Sequence, residues 1–388
     1  MRGGRKTEGT NFTKNQLFDF FNNLLSNKNS DTATSKECED SPSPVFVNDQ
    51  TQNLIENLLN SNITFVEVKQ MAKKLKTGKA TGLDMINAEL LKNLNDNFLQ
   101  LFTSLFNKLL ENGHFPEEWA IGIIVLIFKG GEKDNLDNYR GITLLSIFGK
   151  LFVGVLLDRL NKVVSEYHIL CENQLAYRKG YQTSDHIFTL RAIIENTFQN
   201  KKGALYLCFV DFKKAFDSVD HKELLHKLAT YGIKGNFLKI IASLYSKVKS
   251  SVRGTDGLTE LFSCSRGVRQ GCLLSPLLFA LFLNDLNSHL SESSSGVTVG
   301  DDSIHTLLYA DDLVLIARDP TDLQTQLSAL QQFISSLKMD VNMSKTKIMV
   351  LRNKKRKSRA KLGNEFKWFL GNTQVKECES YKYLGGDN

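Results

Sequence analysis

Residues 307–316 read LLYADDLVLI, two adjacent carboxylates inside an otherwise apolar run. Few folds accept such a segment. As one continuous strand it would send Asp311 and Asp312 to opposite faces, and at least one would enter the core. A buried, unpaired carboxylate costs several kcal/mol or gives up its charge. A tight turn at the two acids removes the conflict, because Asp suits turns and the flanking runs then become a hairpin. The turn alone is one explanation. The other is a divalent cation at the hairpin tip, which both carboxylates could then approach.

A third acid sharpens the choice. ALYLCFVDF (204–212) is a β-rich run fit for a central strand, and Asp211 ends it with only Phe209 and Val210 before it. Asp217 and Asp220 follow where a helix begins, and their place suits capping and the helix dipole. Asp211 has no such local use. Nucleotidyl transfer needs carboxylates that bridge two ions about 3.5–4 Å apart. Magnesium takes few protein carboxylates, because phosphate and water oxygens complete its shell. One aspartate at a strand end and two at a facing hairpin tip fit that demand. Either motif alone is weak evidence; both in apolar strand contexts favour metal.

The rest of the chain supplies the frame. QLFDFFNNLL (16–25) patterns as a short helix within a polar extension over 1–50, and 26–44 reads as linker. NLIENLLN, FVEVKQMAKKLKTG and 87–113 are helical in spacing, with Gly78 and Gly113 as expected stops. AIGIIVLIFKGG (120–131) reads as a strand and 146–167 as a helix. HKELLHKLATYG and NFLKIIASLYSKV are two further helices, and a hairpin is expected around Asp256–Gly257. One apolar helix is expected over 275–290, an amphipathic helix over 322–339 and a strand over 345–351. Strands and helices come in blocks, which predicts an α+β sheet covered by helices on one face. The expected boundaries are a polar extension over 1–50, a helical leader over 51–115 and the main domain over 116–388.

The net charge of +7 leans towards a polyanionic partner. The six cysteines include no CxxC pair and do not cluster with the histidines, which disfavours a structural zinc site. Cys208 and Cys272 read as reduced core thiols, as in an intracellular protein. No apolar region marks a signal peptide, and the longest apolar runs are too short to span a bilayer.

At this point the motifs resemble a reverse transcriptase of the non-LTR, LINE-type retrotransposon class. YADD (309–312) resembles its metal-binding hairpin and FVDFKKAFDSVDH (209–221) its first aspartate motif. RGVRQGCLLSPLLFALFLNDL (266–286) is similar to its template- and nucleotide-contacting motif. NYRGITLLS (138–146) and ENQLAYRKGYQTSDHIFTLR (172–191) resemble fingers motifs. LKMDVNMSKTKIMVL (337–351) and YKYLG (381–385) look like the elements after the hairpin. GKATGLDMINAELLK (78–92) and FPEEWAIGIIVLIFKGG (115–131) match the leader. The resemblance covers roughly 75–388, with every motif in the family's order. Gly141, Leu126 and the QLAYR at 174–178 depart from commoner residues, and none touches the three aspartates.

The resemblance implies right-hand fingers and palm, an antiparallel palm sheet backed by helices, and a thumb largely missing from this chain. It implies Asp211, Asp311 and Asp312 as ligands of two magnesium ions, with manganese as a substitute, and the Phe212 carbonyl as a further ligand. Phe216 would exclude a ribose 2′-OH, although a core Phe would occupy the same place. Lys129, Arg140, Gln270 and Gly271 would contact the nucleotide, and Arg178, Arg269 and Asn342 the template or primer. Lys345 would act as general acid. The basic cluster at 352–361 fits a nucleic-acid backbone, nuclear import or a solvated loop equally well. The function implied is RNA-directed DNA synthesis from an RNA template, a DNA primer and dNTPs, without a membrane, in the nucleus. Two rivals stay open: an inactive, truncated nucleic-acid-binding remnant, and an RNA-dependent RNA polymerase.

Overall fold

The two carboxylate-bearing runs become neighbouring strands, Ala204–Asp211 and Asp312–Ala317, in a six-stranded sheet. The computed structural model describes residues 12–26, 48–178, 180–199, 204–352, 366–384 and 386–387. The linker expected beyond residue 26 and the basic stretch beyond Arg352 lie outside them. The chain divides into two compact units: Met1–Ile169 with Asp220–Leu278, and Leu170–Val219 with Phe279–Asn388.

In the first unit, strand Ile121–Phe128 pairs antiparallel with Tyr139–Leu145 and parallel with Lys249–Gly254. The hairpin expected around Asp256–Gly257 forms, with Gly254 opposite Gly257. Helix Asp96–Asn112 ends at Gly113 in the left-handed conformation (φ +60°), the usual glycine stop. Helix Phe65–Lys74 ends short of Gly78, because the chain turns at Leu75 to bury that side chain. The N-terminal helix Lys14–Leu25 is no loose extension. Its Leu17 and Phe21 are buried, and Phe18 meets Phe262 edge-on at 5.6 Å. Its last carbonyl, of Leu25, accepts the N–H groups of Ser265 and Arg266.

The second unit holds the six-stranded sheet, in the order Trp368–Leu370, Thr373–Glu377, Lys347–Arg352, Ala204–Asp211, Asp312–Ala317, Thr306–Tyr309. The antiparallel sheet expected is mixed in fact, since Lys347–Arg352 runs parallel to Thr373–Glu377. Helices also cover both faces rather than one. Leu205, Leu207 and Phe209 share a cluster with Leu190 and Ile193 of helix Thr183–Gln199. Helix Pro320–Ser336 packs on the same two central strands, and its Gln326 donates to the Ile316 carbonyl. A central strand apolar on both faces needs cover on both, and the unbroken run LYLCFV already carries that requirement.

The single helix expected over 275–290 is two, Ser275–Phe282 and Leu286–Ser291. The break falls at buried Asn284, whose Oδ1 accepts the N–H of Cys171 at 2.8 Å. An amide side chain engaged outside the helix favours this interruption.

Candidate active site

The antiparallel register sets Asp312 directly opposite Asp211. Directly opposed residues point to the same face, so the two carboxylates share one side of the sheet. Tyr309 pairs with Asp312 across the hairpin, which leaves Ala310 and Asp311 as the two turn residues. Ala310 has φ +59°, and positive φ at the first turn residue alone marks a type II′ turn. The turn breaks strand alternation, and Asp311 and Asp312 line one open cleft of about 590 Å³. Tyr177, Tyr309 and Lys382 line it as well.

Like charges placed opposite one another destabilise a sheet. Burial at the strand ends and the carboxylates of Asp311 and Asp211 push the Asp312 carboxyl up to about 6. Lys345 Nζ lies 4.0 Å from Asp211 Oδ2 and is mostly exposed, which offsets the charge only in part.

A strap after the amphipathic helix fixes Asp211 from behind. The Asn342 N–H donates to the Asp211 carbonyl at 2.7 Å, and the Asp211 N–H donates to Thr346 Oγ1 at 3.2 Å. Lys213 N–H donates to the Asp340 carbonyl, and Phe212 bridges to Val341. Buried Thr346 is a residue that sequence reasoning missed; a lone Thr before a strand carries no signal for it. Buried Gln174 was missed too, although it lies in ENQLAYR (172–178); its side chain accepts the Ala310 N–H. Phe216 sits in the short turn Ala215–Ser218, half-buried and stacked on Phe279 at 4.6 Å. Arg178 lies over the Tyr181 ring, 5.0 Å from its centroid.

The other expected nucleotide contacts belong to the first unit. Lys129 and Arg140 are exposed near the tip of the first hairpin, where Arg140 pairs with Ile127 and the Lys129 N–H donates to Asn138. Alternation along the strand puts both cations on one face. The Gln270 carbonyl accepts the Thr143 N–H at 2.6 Å. Gly271 has φ +123°, and a Cβ there would sit 2.5 Å from the Thr143 carbonyl oxygen, so only glycine fits. Arg140 and the Gln270–Gly271 pair thus come together on strand Tyr139–Leu145. Arg269, expected at the template or primer, lies just before this pair. It is buried, and its Nη1 donates to the Ala120 carbonyl at 2.9 Å, so it braces the Gln270 loop from inside.

Among the described residues, no three His, Cys, Asp or Glu side chains form a complete metal cluster by themselves. The donor chemistry nevertheless fits a magnesium-like ion. Such an ion takes hard oxygens and few protein carboxylates, and the opposed Asp211–Asp312 pair is short of positive charge.

The central strands of the sheet thus bring paired carboxylates to a hairpin tip, an arrangement of hard oxygen donors that could hold a divalent cation. The chain belongs to the reverse transcriptase (RNA-dependent DNA polymerase) family, whose pattern matches residues 129–386. It is 26% identical over 333 residues to the RNA-directed DNA polymerase from mobile element jockey of Drosophila melanogaster, covering 84% of this chain and 35% of that protein. It is 29% identical over 287 residues to the retrovirus-related Pol polyprotein from type-1 retrotransposable element R2 of Nasonia vitripennis, covering 73% and 27%. A transposon TX1 protein of 149 kDa from Xenopus laevis is 27% identical over 295 residues, covering 74% and 22%. The chain therefore spans about a third or less of the length of these relatives. The resemblance drawn from the ordered motifs is borne out.

Proposed function

We propose that this chain is the polymerase portion of a non-LTR retroelement protein and adds deoxynucleotides to a primer 3′-OH along an RNA template. The observation that carries the reading is the register of Asp211 against Asp312, with Asp311 in the adjoining turn. In this reading the first unit's sheet serves as fingers and the second unit's sheet as palm. The site of action is nuclear, by resemblance alone.

Asp211, Asp311 and Asp312, with the Phe212 carbonyl, would hold two magnesium ions, or manganese in their place. Bound there, the ions would stabilise the attacking and leaving oxygens of an in-line displacement. The chain's own groups do the rest. Lys129 and Arg140 bind triphosphate oxygens through charge-assisted hydrogen bonds. Gly271 gives the incoming nucleotide close access to backbone, and Arg269 keeps that loop in place. Phe216, backed by Phe279, fills the space that a 2′-OH would need. Lys345 gives a proton to the departing pyrophosphate, and Arg178 and Asn342 help hold template and primer.

The test is primer extension on an RNA template with magnesium. Asp311→Asn is expected to lower the rate by about a hundredfold or more while template–primer binding persists. Wild-type protein that binds template–primer and extends nothing would overturn the reading. Ribonucleotides added as readily as deoxynucleotides would turn it towards an RNA polymerase.

A further inference from the structure

We infer that Gln174 is a positioning residue for the carboxylate turn: its amide oxygen holds the Ala310 backbone in the conformation that aims Asp311. The catalytic meaning of this claim rests on the function proposed above; its geometry does not.

Segment 173–176 lies along strand Thr306–Tyr309 as an added edge. The Leu308 N–H donates to the Asn173 carbonyl at 2.9 Å, and the Leu175 N–H donates to the Leu308 carbonyl at 3.1 Å. Asn173 Nδ2 donates to the Thr306 carbonyl at 2.7 Å. From this edge the fully buried Gln174 side chain reaches the turn. Its Oε1 accepts the N–H of Ala310 and the N–H of Ala176, each at 3.1 Å. Both neighbours are donors, so the amide must present its oxygen to them.

The amide nitrogen has no acceptor among the described residues. A buried donor left unmatched is a cost, so a site that needed only volume would do better with Met or Leu. What the site gains from glutamine is the acceptor. Ala310 explains the need. It is buried at φ +59°, the position where a type II′ turn ordinarily takes glycine. A side-chain-bearing residue there is strained and persists only where its surroundings hold it. Release of Ala310 to negative φ would redirect the chain through Asp311 and part its carboxylate from Asp312. The loss would fall on the chemical step rather than on nucleotide binding, because the triphosphate contacts lie on other elements.

The experiment has two arms. The first is amide hydrogen exchange at Ala310 in unaltered protein and in Gln174→Met. The second is single-nucleotide addition by wild type, Q174M, Ala310→Gly and the double variant. We expect the Ala310 amide to exchange about a hundredfold slower than an unstructured amide in the wild type, and about tenfold faster than that in Q174M. We expect Q174M to lower kcat about tenfold or more with KM for the nucleotide nearly unchanged, and only about twofold in the A310G background, where glycine holds the turn unaided. Free exchange at Ala310 in the wild type would overturn the inference, as would an equal loss in both backgrounds. If Q174M does not fold, the wild-type exchange decides. A wild type that adds no nucleotide would defeat the proposed function, and the exchange arm would still judge Gln174.

Discussion

At the scale of single residues, one tightly held buried charge lies outside the candidate site. Arg159 is buried in helix Ile147–Glu166, and its guanidinium donates to both Glu67 carboxylate oxygens, at 2.7 and 3.0 Å. It also donates to the carbonyls of Leu59, Ser61 and Asn62, at the C-terminal end of helix Asp49–Asn60, where a cation opposes the helix dipole. Burial alone would raise the Glu67 carboxyl. Arg159 and the Thr64 N–H outweigh it and hold the carboxyl at about 2. A carboxyl lowered in the folded state stabilises above its unfolded value and loses that contribution as pH falls through the folded one. The contribution, about 3 kcal/mol, should therefore disappear between about pH 4.5 and pH 2. Thermal melts of wild type and Glu67→Gln should differ most near neutrality, with the gap narrowing across that window. A gap independent of pH would refute the assignment.

At the scale of elements, the N-terminal helix shows what composition conceals. It lies in a polar stretch of chain, yet six of its twelve residues are apolar and Leu17 is fully buried in the first unit. Leu17→Ala should cost about 2–5 kcal/mol by loss of packing and the cavity left behind. Chemical denaturation followed by far-ultraviolet dichroism measures this; a loss under about 0.5 kcal/mol, the range of ordinary surface changes, would mean the helix is not part of the fold. Element identity was largely legible in the residues. ALYLCFV, LVLIA and IGIIVLIF are strands because their apolar runs are short and carry β-branched and aromatic residues, and Gly113 stops its helix as expected. The break at Asn284 was not legible, because it depends on a hydrogen bond to Cys171, far away in sequence. Thr346 and Gln174 escaped for the same reason: their partners, Asp211 and Ala310, are brought to them only by sheet assembly.

At the scale of the whole molecule, each unit is built from two separated stretches of chain. The central strand Ala204–Asp211 of the six-stranded sheet comes from the earlier stretch, and its neighbours on both sides come from the later one. A fragment of residues 279–388 should therefore lack cooperative unfolding, since it would expose both edges of a sheet missing its middle. Addition of a 170–219 fragment should restore part of the structure. Circular dichroism of each fragment and of the mixture tests this; a cooperative melt of 279–388 alone would contradict it.

The residues by themselves determined that two apolar runs would be strands, that the paired acids would sit at a turn, and that the ordered motifs belong to a reverse transcriptase. The first two are local properties, set by side-chain shape, periodicity and the preference of Asp for turns, and the third rests on resemblance to the family. Tertiary structure alone decided that Asp312 faces Asp211, that one pairing in the sheet is parallel, and that Arg269 is a buried brace. The physical reason is register. A shift of one residue between the two strands would turn a carboxylate to the other face, and that register is set by the packing of both sheet faces rather than by either strand.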